Sequence, residues 1–238
     1  LFLSACTLED VARLLGASSQ GDAPVEALKN LPQTPATFEL AKKKLYNEIY
    51  QGHAITLYCG CEFDPKTRTL SREDWRKCGF QPRQDAERAS RIEAEHVMPA
   101  HQFGNFRQCW RQPEAVCGRK MSGRKCCEEK DPVFNTAHND LNNLYPAIGE
   151  VNGDRSNFNW GEVPGERREY GACTMEVNAS IRRAEPPEPV KGEIARTMFY
   201  MERTYGFRLS DQDRKLYAAW NRMDPPDDWE LERNRRIA

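Results

Sequence analysis

Eight cysteines between positions 59 and 173 constrain this chain more than any helix or strand pattern in it. Cys59 and Cys61 stand one residue apart and Cys126 and Cys127 side by side. Cys78, Cys109, Cys117 and Cys173 are spread between and beyond them. Thiols at this density point to a disulfide framework assembled in an oxidising compartment. Their pairing cannot be read from spacing. A zinc site on Cys59, Cys61, Cys126 and Cys127 is the rival, although Cys-x-Cys and Cys-Cys grip a tetrahedral ion less well than Cys-x-x-Cys. The ninth cysteine, Cys6, is the odd thiol. It closes Leu3-Ser4-Ala5-Cys6, which has the form of a bacterial lipobox after an apolar run, without the basic segment that opens a signal peptide. Cys6 is therefore a candidate lipidation site at the remnant of an export signal. A disordered apolar tail, or a bond from Cys6 to Cys117, is the other reading.

At 238 residues the chain is long enough for one large domain with a real core. No apolar run is long enough to span a membrane. Net charge is close to zero, but its distribution is uneven. Between positions 76 and 125, eleven cations (Arg76, Lys77, Arg83, Arg88, Arg91, Arg107, Arg111, Arg119, Lys120, Arg124 and Lys125) face five carboxylates, whereas residues 224–232 are acidic. A basic stripe suits a surface that grips phosphates; a merely solvated face is the plain alternative.

Periodicity sets out the elements. Residues 1–36 form an N-terminal extension, with Leu8, Val11, Leu14 and Leu15 on one short helix. A helix over residues 37–52 carries Phe38, Ala41, Leu45 and Ile49 inward. Residues 53–59 are β-branched and apolar, which predicts a strand, and residues 60–90 are rich in turns. A long irregular connection covers 101–130, and a helix is expected over 134–144. Residues 173–177 predict another strand. Two helices close the chain, one over 191–205 stopped by Gly206, the other capped by Ser210 with Leu216, Ala219, Trp220 and Met223 inward. The fold class is α+β, mostly helical and disulfide-stabilised, with one domain over 37–238.

Two stretches carry the chemistry. Residues 91–100 read as a short strand closed by Pro99, on which Glu95 and His96 point to opposite faces; a site shared by both requires a bend. Residues 149–157 read as a short helix, with Pro146 near its first turn and Ile148 and Val151 on one face. Asn152, Asp154 and Ser156 alternate as in a calcium loop. Asn157 and Val163, where that loop needs Gly and Glu, rule it out, so Asp154 and Arg155 are assigned to bracing the helix.

The run Glu95-His96-Val97-Met98-Pro99-Ala100 is followed by Gln102-Phe103-Gly104, Arg107-Gln108-Cys109-Trp110 and Gly123-Arg124-Lys125. Asp140-Leu141-Asn142-Asn143-Leu144-Tyr145-Pro146-Ala147-Ile148 leads into residues 149–157, with Tyr58-Cys59-Gly60-Cys61 before and Ile194-Ala195-Arg196-Thr197 after. In this order they resemble the bacterial endonuclease I family, secreted and periplasmic DNases with a ββα-metal finger. The likeness runs from about Phe38 to Ala238. It implies His96 as general base, Glu95 and Asn152 as ligands of a magnesium ion (manganese or calcium as alternatives), and Arg124 on the scissile phosphate. Arg119-Lys120 repeats the Gly-Arg-Lys triplet and competes with Arg124 for that role.

By the same resemblance the chain is an exported, monomeric, sequence-non-specific hydrolase of DNA, and of RNA as a further substrate. It leaves 5′-phosphates and needs no organic cofactor. Arg91, Arg107, Arg119, Lys120 and Lys125 are candidate nucleic-acid contacts. Two departures stand out. Residues 111–122 look inserted, and His138 occupies a position that is acidic in the family, so another group or a backbone carbonyl must orient His96; His138 is also a candidate neighbour in the site. Rival readings are a DNA-binding protein without turnover and a cystine-rich envelope module.

Overall fold

Thr37 is extended and its hydroxyl accepts the Leu40 N–H, so the first helix, α1, begins at Phe38 and runs to Lys44 (Phe38–Lys44) before widening into a π turn at Leu45–Ile49. The computed structural model describes residues 31–165 and 168–238. Cys6, its lipobox and the helix expected on Leu8, Val11, Leu14 and Leu15 lie outside the described residues. In chain order there follow α2 (Arg72–Cys78), α3 (Ala86–Ala89), β1 (Ile92–His96), α4 (Ala100–Gly104), α5 (Gln108–Arg111), α6 (Pro113–Cys117), α7 (Gly123–Lys130) and α8 (Pro132–His138). The second half holds β2 (Leu144–Ile148), α9 (Gly149–Arg155), β3 (Asn159–Trp160), β4 (Glu176–Asn178), β5 (Arg183–Glu185), α10 (Lys191–Tyr205), α11 (Asp211–Met223) and α12 (Asp228–Ile237). The result is mostly helical, α+β, and bound by four disulfides. No described helix is long and apolar enough to cross a membrane.

The centre is the antiparallel pair β1–β2, in register from Ile92↔Ile148 to His96↔Leu144, followed without a loop by α9, which packs on both strands. Here the expected helix start is corrected. Pro146 and Ile148 belong to β2, because every residue of Leu144–Ile148 is buried and the strand must pair. Pro146 stands opposite Ala94, and its carbonyl accepts the Leu57 N–H at 2.9 Å. A second, three-stranded sheet has the order β3-β5-β4.

Other expectations change for local reasons. The helix expected over 134–144 stops at His138, because the Asp140 carboxylate captures both the Asn142 N–H and its side-chain amide and winds Leu141–Asn143 into a 3-10 turn. Residues 53–59 make only one bridge, Ile55↔Glu62, since the chain reverses at Gly60 with φ +61°. The strand expected from Cys173 begins at Glu176. Residues 101–130 are a relay of short helices rather than irregular chain. The helix capped by Ser210 is followed by another, capped by Asp227, and Met223 faces solvent at 67 % exposure.

All eight described cysteines are paired: Cys59–Cys173, Cys61–Cys78, Cys109–Cys127 and Cys117–Cys126. The zinc alternative falls, because each of its four thiols has another partner, and so does a bond from Cys6 to Cys117. Cys59–Cys173 closes a sequence separation of 114 residues. By chain-entropy accounting a loop near that length is worth about 4–5 kcal/mol. The other three are local, and two of them fasten α7 to α5 and α6.

Candidate active site

A cavity of about 920 Å³ opens along β1, lined by Glu93, Glu95, His96, Arg124, Asn152 and Arg155 among others. No bend was needed to bring Glu95 and His96 to it. β1 keeps a regular ladder through His96↔Leu144, and the cavity borders the strand.

His96 sits at the end of β1 and is buried. Its Nε2 lies 2.8 Å from the His138 carbonyl oxygen. A carbonyl only accepts, so Nε2 carries the hydrogen and Nδ1 keeps its lone pair. Phe38 stacks on the ring at 5.2 Å between centroids. Burial pushes the pKa well below the ordinary imidazole value, helped by His138, Arg124 and Arg155 and opposed by the carbonyl bond. The ring is neutral at pH 7, in the tautomer a general base requires.

Glu95 is buried; its Oε1 accepts the Tyr58 hydroxyl at 2.6 Å and forms an ion pair with the Arg155 guanidinium at 3.0 Å. Burial raises its pKa, against the pull of Arg155 and Tyr58. Arg155 also donates to the carbonyls of His96 and Val97 and lies 4.4 Å over the Trp160 ring. It ties α9 to the end of β1, which is the bracing role the sequence assigned it. Asp154 braces too, through Arg83 and the Tyr170 hydroxyl. Asn152, on α9, donates its amide to Glu93 Oε2 at 2.7 Å.

Arg124 is the second residue of α7 and reaches the cavity wall. The glycine before it explains how. A Cβ on Gly123 would lie 2.3 Å from the Trp110 carbonyl oxygen, so only glycine lets α7 press onto that backbone. Ser122 caps the helix, and the bonds to Cys109 and Cys117 hold it.

The other sequence candidates separate. Arg119 is exposed and paired with Glu129 at 2.6 Å, away from the cavity lining. Arg91, Lys120 and Lys125 are exposed but do not line it. Arg107 is buried, bound to Asp131 and to the Phe103 carbonyl at 2.7 Å, and does not line the cavity. His138 lies behind His96, its ring centroid 4.7 Å away, and is buried. Its carbonyl orients His96 while burial pushes its own pKa down to about 4.

Sequence reading missed Glu93, Arg88, Lys42 and Arg68, all on the cavity wall. Glu93 had a signal, since it shares a strand face with Glu95. Lys42 and Arg68 had none, because only the docking of α1 and of the turn before α2 brings them there.

Glu95 and Asn152 offer hard oxygen donors, and among the described residues no group of three or more His, Cys, Asp and Glu gathers to hold a metal. That donor set fits a hydrated cation of the magnesium type, which takes one or two protein ligands and keeps several waters. A neutral imidazole beside oxygen donors, under a rim of guanidinium groups, is suited to hydrolysing a phosphodiester, the chemistry of a nuclease.

Comparison with known proteins narrows the class to a family. The model of the family described as Endonuclease I matches residues 37–238. An extracellular deoxyribonuclease of Aeromonas hydrophila is 48% identical over 202 residues, 84% of this chain and 83% of the relative. A periplasmic deoxyribonuclease of the same species is 46% identical over 206 residues, 86% and 82% of the two chains. Endonuclease-1 of Buchnera aphidicola subsp. Acyrthosiphon pisum (strain APS) is 39% identical over 206 residues, 82% and 78%. The chain belongs to the endonuclease I family and is a phosphodiester hydrolase.

Proposed function

We propose that this chain is a sequence-non-specific endonuclease that hydrolyses DNA, with RNA as a further substrate, using His96 as general base. One observation carries the reading: the His96 imidazole, fixed at Nε2 by a carbonyl and kept neutral by burial, borders a cavity rimmed with cations. The relatives named deoxyribonuclease support DNA as substrate. The cations lining the cavity are suited to backbone phosphates, which carry no sequence information, and this supports a lack of sequence preference.

In this scheme a water gives its proton to His96 Nδ1 as its oxygen attacks phosphorus. The P–O3′ bond breaks, leaving a 5′-phosphate and a 3′-hydroxyl that takes its proton from solvent. The Arg124 guanidinium offsets the charge gathering on the phosphate oxygens. Glu95 and Asn152 are assigned to hold one hydrated divalent cation, Mg2+ with Mn2+ or Ca2+ as alternatives. When bound, that ion supplies charge neutralisation at the phosphate and at the leaving oxygen. No organic cofactor enters, and one chain supplies every group. The four disulfides and the relatives named extracellular and periplasmic support an exported protein.

The test is nicking of supercoiled plasmid by oxidised protein, with magnesium and with excess chelator, against His96→Ala. The expected result is cleavage that chelator stops and that the substitution slows by about a hundred- to ten-thousandfold. Equal cleavage by His96→Ala would remove the base assignment. No cleavage by folded wild type with any of the three metals would remove the nuclease reading.

A further inference from the structure

Glu93 carries a charge at the cavity that the proposed mechanism does not use, and both of its oxygens are engaged. Arg88 grips it as a fork, Nε to Oε1 at 3.0 Å and Nη2 to Oε2 at 2.9 Å, while Asn152 Nδ2 donates to Oε2 at 2.7 Å. A carboxylate accepts and cannot donate, so the NH2 side of the Asn152 amide must face Glu93. Its carbonyl oxygen Oδ1 is thereby turned to the other side of the amide, in a residue that borders the cavity.

The helix is cut to fit this chain of bonds. On α9, Gly149 and Gly153 stand four residues apart, on the face toward Arg88 and Glu93. A Cβ on Gly149 would lie 2.6 Å from the Arg88 carbonyl oxygen and 2.9 Å from Glu93 Oε1. One on Gly153 would lie 2.1 Å from Arg88 Nη1. The second clash could be relieved by moving the guanidinium, the same group whose Nε and Nη2 hold Glu93. The first meets backbone and has no cheap relief.

We infer that Glu93, anchored by Arg88, is the positioning residue for Asn152, setting its amide so that Oδ1 faces the divalent cation assigned above. The inference rests on that metal assignment. Glu93 is not itself a ligand in this scheme, because the fork and the amide occupy its oxygens. Without that partner the amide is free to turn its NH2, which cannot ligate, toward the cation site, and partners of this kind are worth roughly ten- to a hundredfold in metal affinity.

The experiment is Mn2+ binding without DNA, counted by electron paramagnetic resonance of the free ion. It compares wild type, Glu93→Gln, Asn152→Ala and the double variant, with metal-free thermal unfolding as the check on folding. Glu93→Gln is expected to bind about ten- to a hundredfold more weakly, and the double variant no more weakly than Asn152→Ala alone. Wild-type affinity in Glu93→Gln overturns the inference while leaving the metal site standing. Losses that multiply in the double variant also overturn it, since Glu93 then acts independently of Asn152. If Glu93→Gln does not fold, Arg88→Met tests the same chain; severalfold weaker binding is expected, and unchanged binding overturns the inference. Absence of Mn2+ binding by folded wild type removes the metal assignment itself, and the positioning role with it.

Discussion

At the scale of single residues, arginines of one basic stretch end in three different situations. Arg124 lines the cavity, Arg119 pairs with Glu129 outside it, and Arg107 is buried against Asp131. Three outcomes are expected. Arg124→Ala lowers kcat on plasmid by about a hundred- to a thousandfold, the range for losing one preorganised charge-stabilising donor. Arg119→Ala leaves kcat and KM within about twofold, since an exposed ion pair is worth little. Arg107→Ala leaves Asp131 without its cation in a buried setting, and breaking such a pair costs about 3–5 kcal/mol. It shows as a lower unfolding midpoint rather than a changed salt dependence of DNA binding. A loss of activity in Arg119→Ala equal to that in Arg124→Ala would reverse the assignment of the two Gly-Arg-Lys triplets.

At the scale of elements, legibility followed locality. The cap at Thr37, the helix over Lys191–Tyr205 and the Ser210 cap are set by residues within one turn of each other, and each was readable. The Glu95-His96 pair stands out in the sequence because its pattern is contiguous, and both residues line the cavity. What could not be read is set by distant partners. Pro146 resembles a helix start until β1 pairs with it, and the His138 carbonyl becomes the orienting group for His96 only when α8 docks behind β1. α7 is the extreme case, since its seat depends on two disulfides and on the Trp110 backbone. Gly123→Ala therefore tests the element as a whole. The added Cβ must push α7 off Trp110, which as overpacking costs about 1–3 kcal/mol, and Arg124 moves with the helix. The expected result is a modestly lower unfolding midpoint with a disproportionate loss of kcat. Full activity in Gly123→Ala would mean that α7 need not sit against Trp110 for Arg124 to act.

Across the whole molecule, the site is supported from behind by the end of the chain. Arg233 on α12 is buried, donates to the carbonyls of Leu141, in the 3-10 turn, and Leu144, at the start of β2, and lies 3.7 Å over the Tyr145 ring. Near it, Glu193 on α10 has a buried oxygen without a hydrogen-bond partner, and burial pushes its pKa from 4.5 up to about 7 despite Arg233. A carboxyl raised in the folded state holds a proton that the unfolded chain has already released. Its contribution to stability is thus complete below about pH 4.5, falls as pH rises to about 7, and stays lost above that. The full difference is at most about 3 kcal/mol, from 1.36 kcal/mol per pH unit. His138 works in the opposite sense: with a pKa of about 4 when folded, it costs stability as pH falls below its ordinary 6.5. The two slopes oppose one another where their windows overlap, from about pH 4.5 to 6.5, so wild type alone would mask both. The difference between wild type and Glu193→Gln isolates the carboxyl. Denaturant unfolding of the oxidised proteins from pH 4.5 to 8.5 should find the variant gaining on wild type as pH rises to about 7, then keeping a constant lead. A difference independent of pH would mean that Glu193 is ionised throughout, with Arg233 compensating its burial in full.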